Sequence, residues 1–152
     1  MINEQKLRKL LHEAKVNTYA RSGEGGEAKL KNGGKKFEYR KGKFYYQDIY
    51  FGYNPFVGEE IIFYQQNPVW GMNYYGQVIT KNIPAKDIYS FLKKALRKPN
   101  LASPYRGPDV YKSGDLKYVN KAEGHIDDFK GREKIYYKNK LIYILNYHGG
   151  SL

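Results

Sequence analysis

The strongest constraint on this chain is that it contains the same pattern twice. Phe56, Gly58, Glu60 and Tyr64, followed by Asn73, Tyr74 and Gly76, return 73 residues later. The second copy is Phe129, Gly131, Glu133 and Tyr137, followed by Asn146, Tyr147 and Gly149. Gly42, Tyr46 and Gly52 return at a shift of 72 as Gly114, Tyr118 and Gly124. The helical stripe Leu7, Leu10, Leu11, Ala14 returns at a shift of 81 as Ile88, Phe91, Leu92, Ala95. A fixed internal period implies one supersecondary unit used twice. The expectation is an α+β fold with an internal pseudo-repeat, each half one helix followed by about four antiparallel strands. The repeats run over about 3–80 and 84–150 inside a single domain, 1–152. The halves join either into one curved sheet with both helices on one face or into two facing sheets. A junction of this kind places a cleft between the copies.

The elements follow from local signals. Asn3 suits an N-cap, and Leu7, Leu10, Leu11 and Ala14 share one face of a helix over 4–15. Residues 20–36 read as a Gly-rich basic loop. Strand-like spacing runs from Phe37 to Gly52, with a turn at Lys41-Gly42. Further strands are expected from Gly58 to Tyr64 and from Val69 to Ile79, with Gln65–Pro68 as a turn. Pro84 suits the first turn of a second helix over 84–97. Pro99, Pro104 and Pro108 mark an irregular connection, and strands over 115–121, 131–137 and 140–147 follow, with Lys138-Asn139 as a tight turn.

Composition narrows the function classes. Cysteine is absent, which removes disulfides and thiolate chemistry. The N-terminal stretch has no apolar run of signal-peptide type, and no segment approaches a membrane span, so a soluble cytoplasmic protein without a membrane partner is expected. The net charge is +12, and 17 residues are tyrosine. Buried tyrosines need hydroxyl partners, which points to a polar network or a lined pocket. Lys29, Lys31, Lys35, Lys36, Arg40, Lys41 and Lys43 crowd residues 29–43 against Glu38 alone, whereas 61–80 carry no charged residue.

Alternation puts Glu60, Ile62 and Tyr64 on one strand face, and Glu133, Ile135 and Tyr137 on the other copy's matching face. The intervening Glu59, Ile61 and Phe63 have become Arg132, Lys134 and Tyr136. The glutamates are thus on the retained face, either tied to buried donors or facing a ligand. Trp70, Met72 and Tyr74 share a face, as do Tyr143, Leu145 and Tyr147; Asn73 and Asn146 point the other way, with Tyr75 and His148 beside them. The three histidines show no ligand spacing, so no metal or other cofactor is expected. No nucleophile elbow or phosphate loop is present, and GEGGEA at 23–28 lacks a preceding strand.

The segments Thr18–Ala20, Asn54–Gly76, Pro104–Pro108 (Pro-Tyr-Arg-Gly-Pro) and Asn146–Gly150 resemble an uncharacterised bacterial family, domain-of-unknown-function family 5680. Its members stand alone or lie C-terminal to xre-type helix-turn-helix domains. The resemblance supplies no catalytic residues. It implies an effector-sensing or oligomerising module. Arg106, held on a stiff loop between Pro104 and Pro108 and next to Gly107, suits a carboxylate or phosphate, or either glutamate of the repeat.

The expected function is a non-enzymatic domain that binds a small molecule or peptide in an aromatic, polar cleft. Trp70, Tyr74, Tyr147, Glu60, Glu133, Arg106, His148, Asn73 and Asn146 are its candidate ligand-binding residues. One alternative is a basic surface for nucleic acid or an acidic protein, using Lys35, Lys36, Arg40, Lys41 and Lys43. Another is an enzyme with Glu60 or Glu133 as general acid–base.

Overall fold

In the computed structural model, residues 3–22, 26–98 and 100–152 are described. Gly23, Glu24 and Gly25 of the glycine-rich stretch, and Pro99, lie outside them. Among the described residues three helices, α1 (Glu4–Asn17), α2 (Tyr19–Ser22) and α3 (Ala85–Leu96), accompany nine strands. The strands are β1 (Ala28–Lys29), β2 (Lys35–Lys41), β3 (Phe44–Gly52), β4 (Phe56–Tyr64), β5 (Asn67–Val78), β6 (Val110–Ser113), β7 (Leu116–His125), β8 (Asp128–Tyr137) and β9 (Lys140–Ser151). The fold is therefore α+β with sheet dominating. Among the described residues no helix is long and apolar enough to cross a membrane.

All nine strands form one antiparallel sheet in the order β1-β2-β3-β4-β5-β9-β8-β7-β6. β5 and β9, which pair at the middle of the sheet, come from 61–80 and, after Lys140, from 141–152, stretches without Asp, Glu, Lys or Arg. Tyr74 lies opposite Tyr147 across this central pair. Glu60 lies opposite Met72 in β4–β5, and Glu133 opposite Leu145 in β8–β9. The choice left open by the sequence is settled as a single sheet, with the helices over one face.

Period-two alternation decides that face. Tyr46 and Asp48, Glu60 and Ile62, Trp70, Met72 and Tyr74 are buried on it. So are Tyr143, Leu145 and Tyr147, with Glu133 and Ile135 of β8 and Tyr118 and Asn120 of β7. Helix α1 starts at Asn3, whose side chain accepts from the Gln5 N–H at 2.8 Å, and it lays Leu7, Leu10, Leu11 and Ala14 into the same core. Helix α3 adds Ile88, Phe91, Leu92 and Ala95, with Asp87 in its first turn and Lys93 and Lys94 in its last, as the helix dipole favours. The opposite sheet face carries no helix among the described residues.

Several boundaries differ from expectation: β6 lies in the expected irregular connection, β7 runs to His125 and β8 starts at Asp128 rather than at 131. Two further differences have a clear physical reason. Residues 20–36 are not one loop: Ala28–Lys29 and Lys35–Lys36 pair as strands, because the Asn32-Gly33-Gly34 turn reverses the chain. Gly33 supplies the positive φ of 87° that this reversal needs. The expected turn at Gln65–Pro68 shortens to Gln65-Gln66, both with positive φ, and Pro68 already belongs to β5. A strand tolerates Pro there because the register shifts at Ile62/Phe63, directly opposite.

Gly131 leaves room for the Tyr147 ring, which any β-carbon there would overlap; Gly58 does the same for Tyr74. Gly131→Ala is expected to lower stability by roughly 1–3 kcal/mol through overpacking. Urea denaturation measures this, and an unchanged midpoint would show that Tyr147 moves aside freely.

Candidate functional site

Alternation forces Glu60 and Glu133 inward, so each buried carboxylate needs a cation brought from outside its own hairpin. Lys15, the next position after Leu7 and Leu11 on the α1 stripe, places Nζ 2.6 and 2.5 Å from the two Glu60 oxygens. Burial pulls the Lys15 pKa below the usual lysine value, and Glu60 opposes that pull. Arg106 grips Glu133 with two parallel bonds, Nε to Oε2 at 3.1 Å and Nη2 to Oε1 at 3.0 Å. Tyr118 and Tyr143 donate to the same carboxylate at 2.6 and 2.9 Å. Burial opposes the charge on Arg106, but Glu133 holds it on, and the net direction of its pKa is up.

The Arg106 loop is anchored as well. The Gly107 N–H donates to the Tyr118 hydroxyl at 2.9 Å, and Asn120 Nδ2 donates to the Gly107 carbonyl at 3.2 Å. Tyr105 stacks on Phe129 with ring centres 3.7 Å apart, and Trp70 stacks on the same ring at 5.6 Å.

Beside these pairs opens a cleft between the sheet and helices α2 and α3. Tyr19, Tyr50, Tyr53, Phe56 and Tyr89 form its walls, Asp48, Tyr74 and Arg106 its floor, and Lys35 and Lys93 lie towards its mouth. Its volume is about 60 Å³. One water needs about 10–15 Å³ on this measure, so the cleft admits several waters or a few heavy atoms of a ligand. Tyr53 and Phe56 both meet the Tyr89 ring edge-on, at 5.3 and 5.8 Å, which fixes one wall. The Arg106 guanidinium sits 5.6 Å from the Tyr74 ring centre.

Asp48 is the chemically distinctive group. It accepts from the Tyr74 hydroxyl at 2.5 Å. Burial, and then the charge of Glu60, push its pKa up to about 7, against the pull of Tyr74, Lys15 and Arg106. The matching position in the recurring sequence pattern, 72 residues on, is Asn120, which accepts from the Tyr147 hydroxyl at 2.9 Å. The same Tyr bond is therefore made once by an amide and once by a titratable acid.

The nine candidate ligand residues do not converge on one site. Tyr74 and Arg106 line the cleft. Glu60 and Glu133, 1% and 0% exposed, lie in the core with their oxygens held by Lys15 and by Arg106, Tyr118 and Tyr143. Trp70 is fully buried and donates through Nε1 to the Ile126 carbonyl at 2.9 Å. Tyr147 is buried on Asn120. Asn73, Asn146 and His148 are exposed on the opposite sheet face. The five basic candidates also separate, because β2 alternates. Lys36 pairs with Glu38 at 2.8 Å, Lys41 with Glu13 at 2.5 Å and Lys35 with Glu27 at 3.6 Å, while Arg40 lies over the Tyr45 ring and Lys43 occupies the following turn.

Sequence reasoning missed Asp48 and Lys15. Asp48 follows Tyr46 by two, as Asn120 follows Tyr118, so the repeat itself contained the signal. Lys15 continues the four-residue spacing of Leu7 and Leu11, which marks a lysine on an apolar stripe.

Lys15→Met leaves Glu60 buried without its cation and is expected to cost about 3–5 kcal/mol. Lys15→Met combined with Glu60→Leu should recover most of that loss in urea denaturation; a double variant no better than the single one would refute the pairing. Asp48 gives a pH prediction. The folded protein keeps this proton up to about pH 7, the unfolded chain only to its ordinary value of 3.8. Between those values the folded state binds the extra proton, so stability from this group falls as pH rises. Asp48→Asn should be the more stable protein above pH 7, with the gap closing towards pH 4. A gap independent of pH would mean that Asp48 is ionised throughout.

Residues 48–152 match the family model described as Domain of unknown function (DUF5680), and the chain belongs to that family. No curated protein and no solved structure matches it.

Proposed function

We propose that this DUF5680 member is a non-enzymatic binding domain for a small, ring-bearing anion, taken up in the cleft over Asp48, Tyr74 and Arg106. The observation that carries this is Asp48. Asn120 makes the equivalent tyrosine bond without an acid, so a scaffold of this design has no need of a carboxyl there. An acid that titrates near neutrality beside a guanidinium is suited to ligand recognition. The aromatic walls offer contact area, and Lys35, Lys93 and Arg106 make the cleft's side chains net basic. Glu133 occupies Nε and Nη2 of Arg106 and leaves Nη1 outside that pair. The volume favours a small molecule over a peptide. Glu60 and Glu133 are sealed by their partners, which speaks against either as general acid–base.

The proposal includes the origin of the scaffold, two copies of one helix-plus-strands unit related by an approximate twofold axis through the Tyr74–Tyr147 pair. Several features support it. The register shifts fall at Ile62/Phe63 and Ile135/Tyr136, and the positive-φ turns at Gln65-Gln66 and Lys138-Asn139, each pair 73 residues apart. Tyr74 and Tyr147, themselves 73 apart, pair with each other. On this view the cleft is where the copies have diverged, Asp48 against Asn120. Where members lie behind a helix-turn-helix domain, such a cleft would serve effector sensing.

Benzoate and phenyl phosphate test the cleft by amide NMR titration. Saturable shifts are expected at Tyr50, Tyr53 and Phe56, weakening as pH rises above 7 in the wild type, where Asp48 ionises, but not in Asp48→Asn, with phenyl phosphate recovered intact. Absence of saturable shifts with both probes would remove the cleft as a binding site, and release of phenol would make the domain an enzyme.

A further inference from the structure

The sheet face left bare by the helices has a different character in the two halves. In β3 and β4 it presents Tyr45, Ile49, Val57, Glu59 and Ile61. At the corresponding positions of β7 and β8 it presents Lys117, Lys121, Lys130, Arg132 and Lys134. The first half carries apolar and acidic side chains at the same places in the same register, so folding does not require cations there. They also oppose it. Lys121 lies directly across from Arg132, and Lys117 directly across from Lys112 on β6. Like charges in directly opposed cross-strand positions are destabilising. Glu123, ion-paired to Lys130 at 3.5 Å, is the acidic residue lining this concavity of about 1220 Å³.

Aromatic and amide groups stand among the cations. Tyr75 is 48% exposed, and Tyr136 lines the same concavity. Asn146 lies between Tyr75 and Arg132 across β5, β9 and β8, and Asn73 and His148 stand in the next row with Lys130. Arg132 Nε donates to Asn146 Oδ1 at 2.8 Å, which holds the guanidinium along the sheet. Lys130, Arg132 and Lys134 alternate along β8, so their side chains form a row with a repeat of about 6.8 Å. A row of cations beside exposed aromatic rings and amides matches a polymer with a regularly charged backbone and flat, hydrogen-bonding faces.

We propose that the bare face of β5, β9, β8 and β7 binds single-stranded nucleic acid. The cations follow the phosphates, and Tyr75 and Tyr136 stack on bases. A duplex keeps its base faces stacked inside and offers this surface only phosphates. The site lies on the opposite side of the sheet from the cleft and stands or falls without it.

Fluorescence anisotropy of the full chain with labelled dT12 and U12 tests this. Binding is expected with a dissociation constant of roughly 1–100 µM at 50 mM KCl. Five phosphate contacts give a slope of log affinity on log salt of about −3.5, which is about a 100-fold loss between 50 and 200 mM KCl. Arg132→Glu with Lys134→Ile installs the residues of the other half, and should weaken binding by at least about 10-fold with a urea midpoint no lower than that of the wild type, because the introduced carboxylate then faces Lys121. Tyr75→Ala should weaken it about 10-fold. Replacing Lys35, Lys36, Arg40 and Lys41 by Ala should leave it within about twofold. The proposal is overturned if dT12 and U12 fail to bind at 50 mM KCl, if the Arg132/Lys134 variant binds as well as the wild type, if a 12-base-pair duplex binds as tightly as the single strands, or if polyglutamate does.

Discussion

Burying a carboxylate in an apolar core is unfavourable unless a cation and enough donors arrive with it. Among the described residues three acids are buried, and the two that are ion-paired, Glu60 and Glu133, each take a cation from outside their own hairpin. Lys15 comes from the last turns of α1, 45 residues before Glu60, and Arg106 comes from the loop after α3. Each ion pair therefore dictates where a separate piece of chain must dock. Helix α1 is held at the depth at which Nζ reaches Glu60. The 104–108 loop is held where a planar guanidinium meets Glu133 edge to edge, and Gly107 closes it onto Tyr118 and Asn120. Such pairs contribute less to net stability than to choosing one arrangement among several hydrophobic ones, because a misdocked helix leaves a charge stranded.

The cleft is a consequence of that docking. Arg106 faces Glu133 with two nitrogens and lines the cleft as well, and Tyr74 joins the central strand to the Asp48 carboxyl. The acid at 48 feels both the burial produced by the helices and the charge of Glu60. Its elevated pKa thus follows from the same packing that fixes the ion pairs. On the other side of the sheet no such packing operates, and the side chains there are free to differ between the halves. One face is shaped by what the core requires; the other records what the core tolerates.

Much of the architecture was legible in the residues. Period-two alternation placed Glu60 and Glu133 on the face with Ile62 and Ile135, and the uncharged segments 61–80 and 141–152 supply the strands that pair at the middle of the sheet. The site was far less legible. Trp70, Tyr147 and the two glutamates carry the residue types of a binding cleft, yet they are absorbed by core packing and by tyrosine donors. Sequence spacing gives the face on which a side chain lies, but not whether another segment covers it. Asp48 looked like one acid among many because its character depends on Glu60, Tyr74 and Arg106, which are 12, 26 and 58 residues away in the chain.

The sequence by itself determined the types of the long elements, the alternation that sorts inward from outward side chains, and the recurrence of the residue pattern. These are properties of neighbouring residues or of matching segments, and they need no three-dimensional information. Only the tertiary structure decided that the strands form one sheet and that the helices cover one face of it. It alone chose Lys15 and Arg106 as the counter-charges, and left the basic residues of β7 and β8 on a bare surface. Those outcomes depend on which distant segments meet, and that is set by the joint burial of apolar area and charge rather than by any local preference.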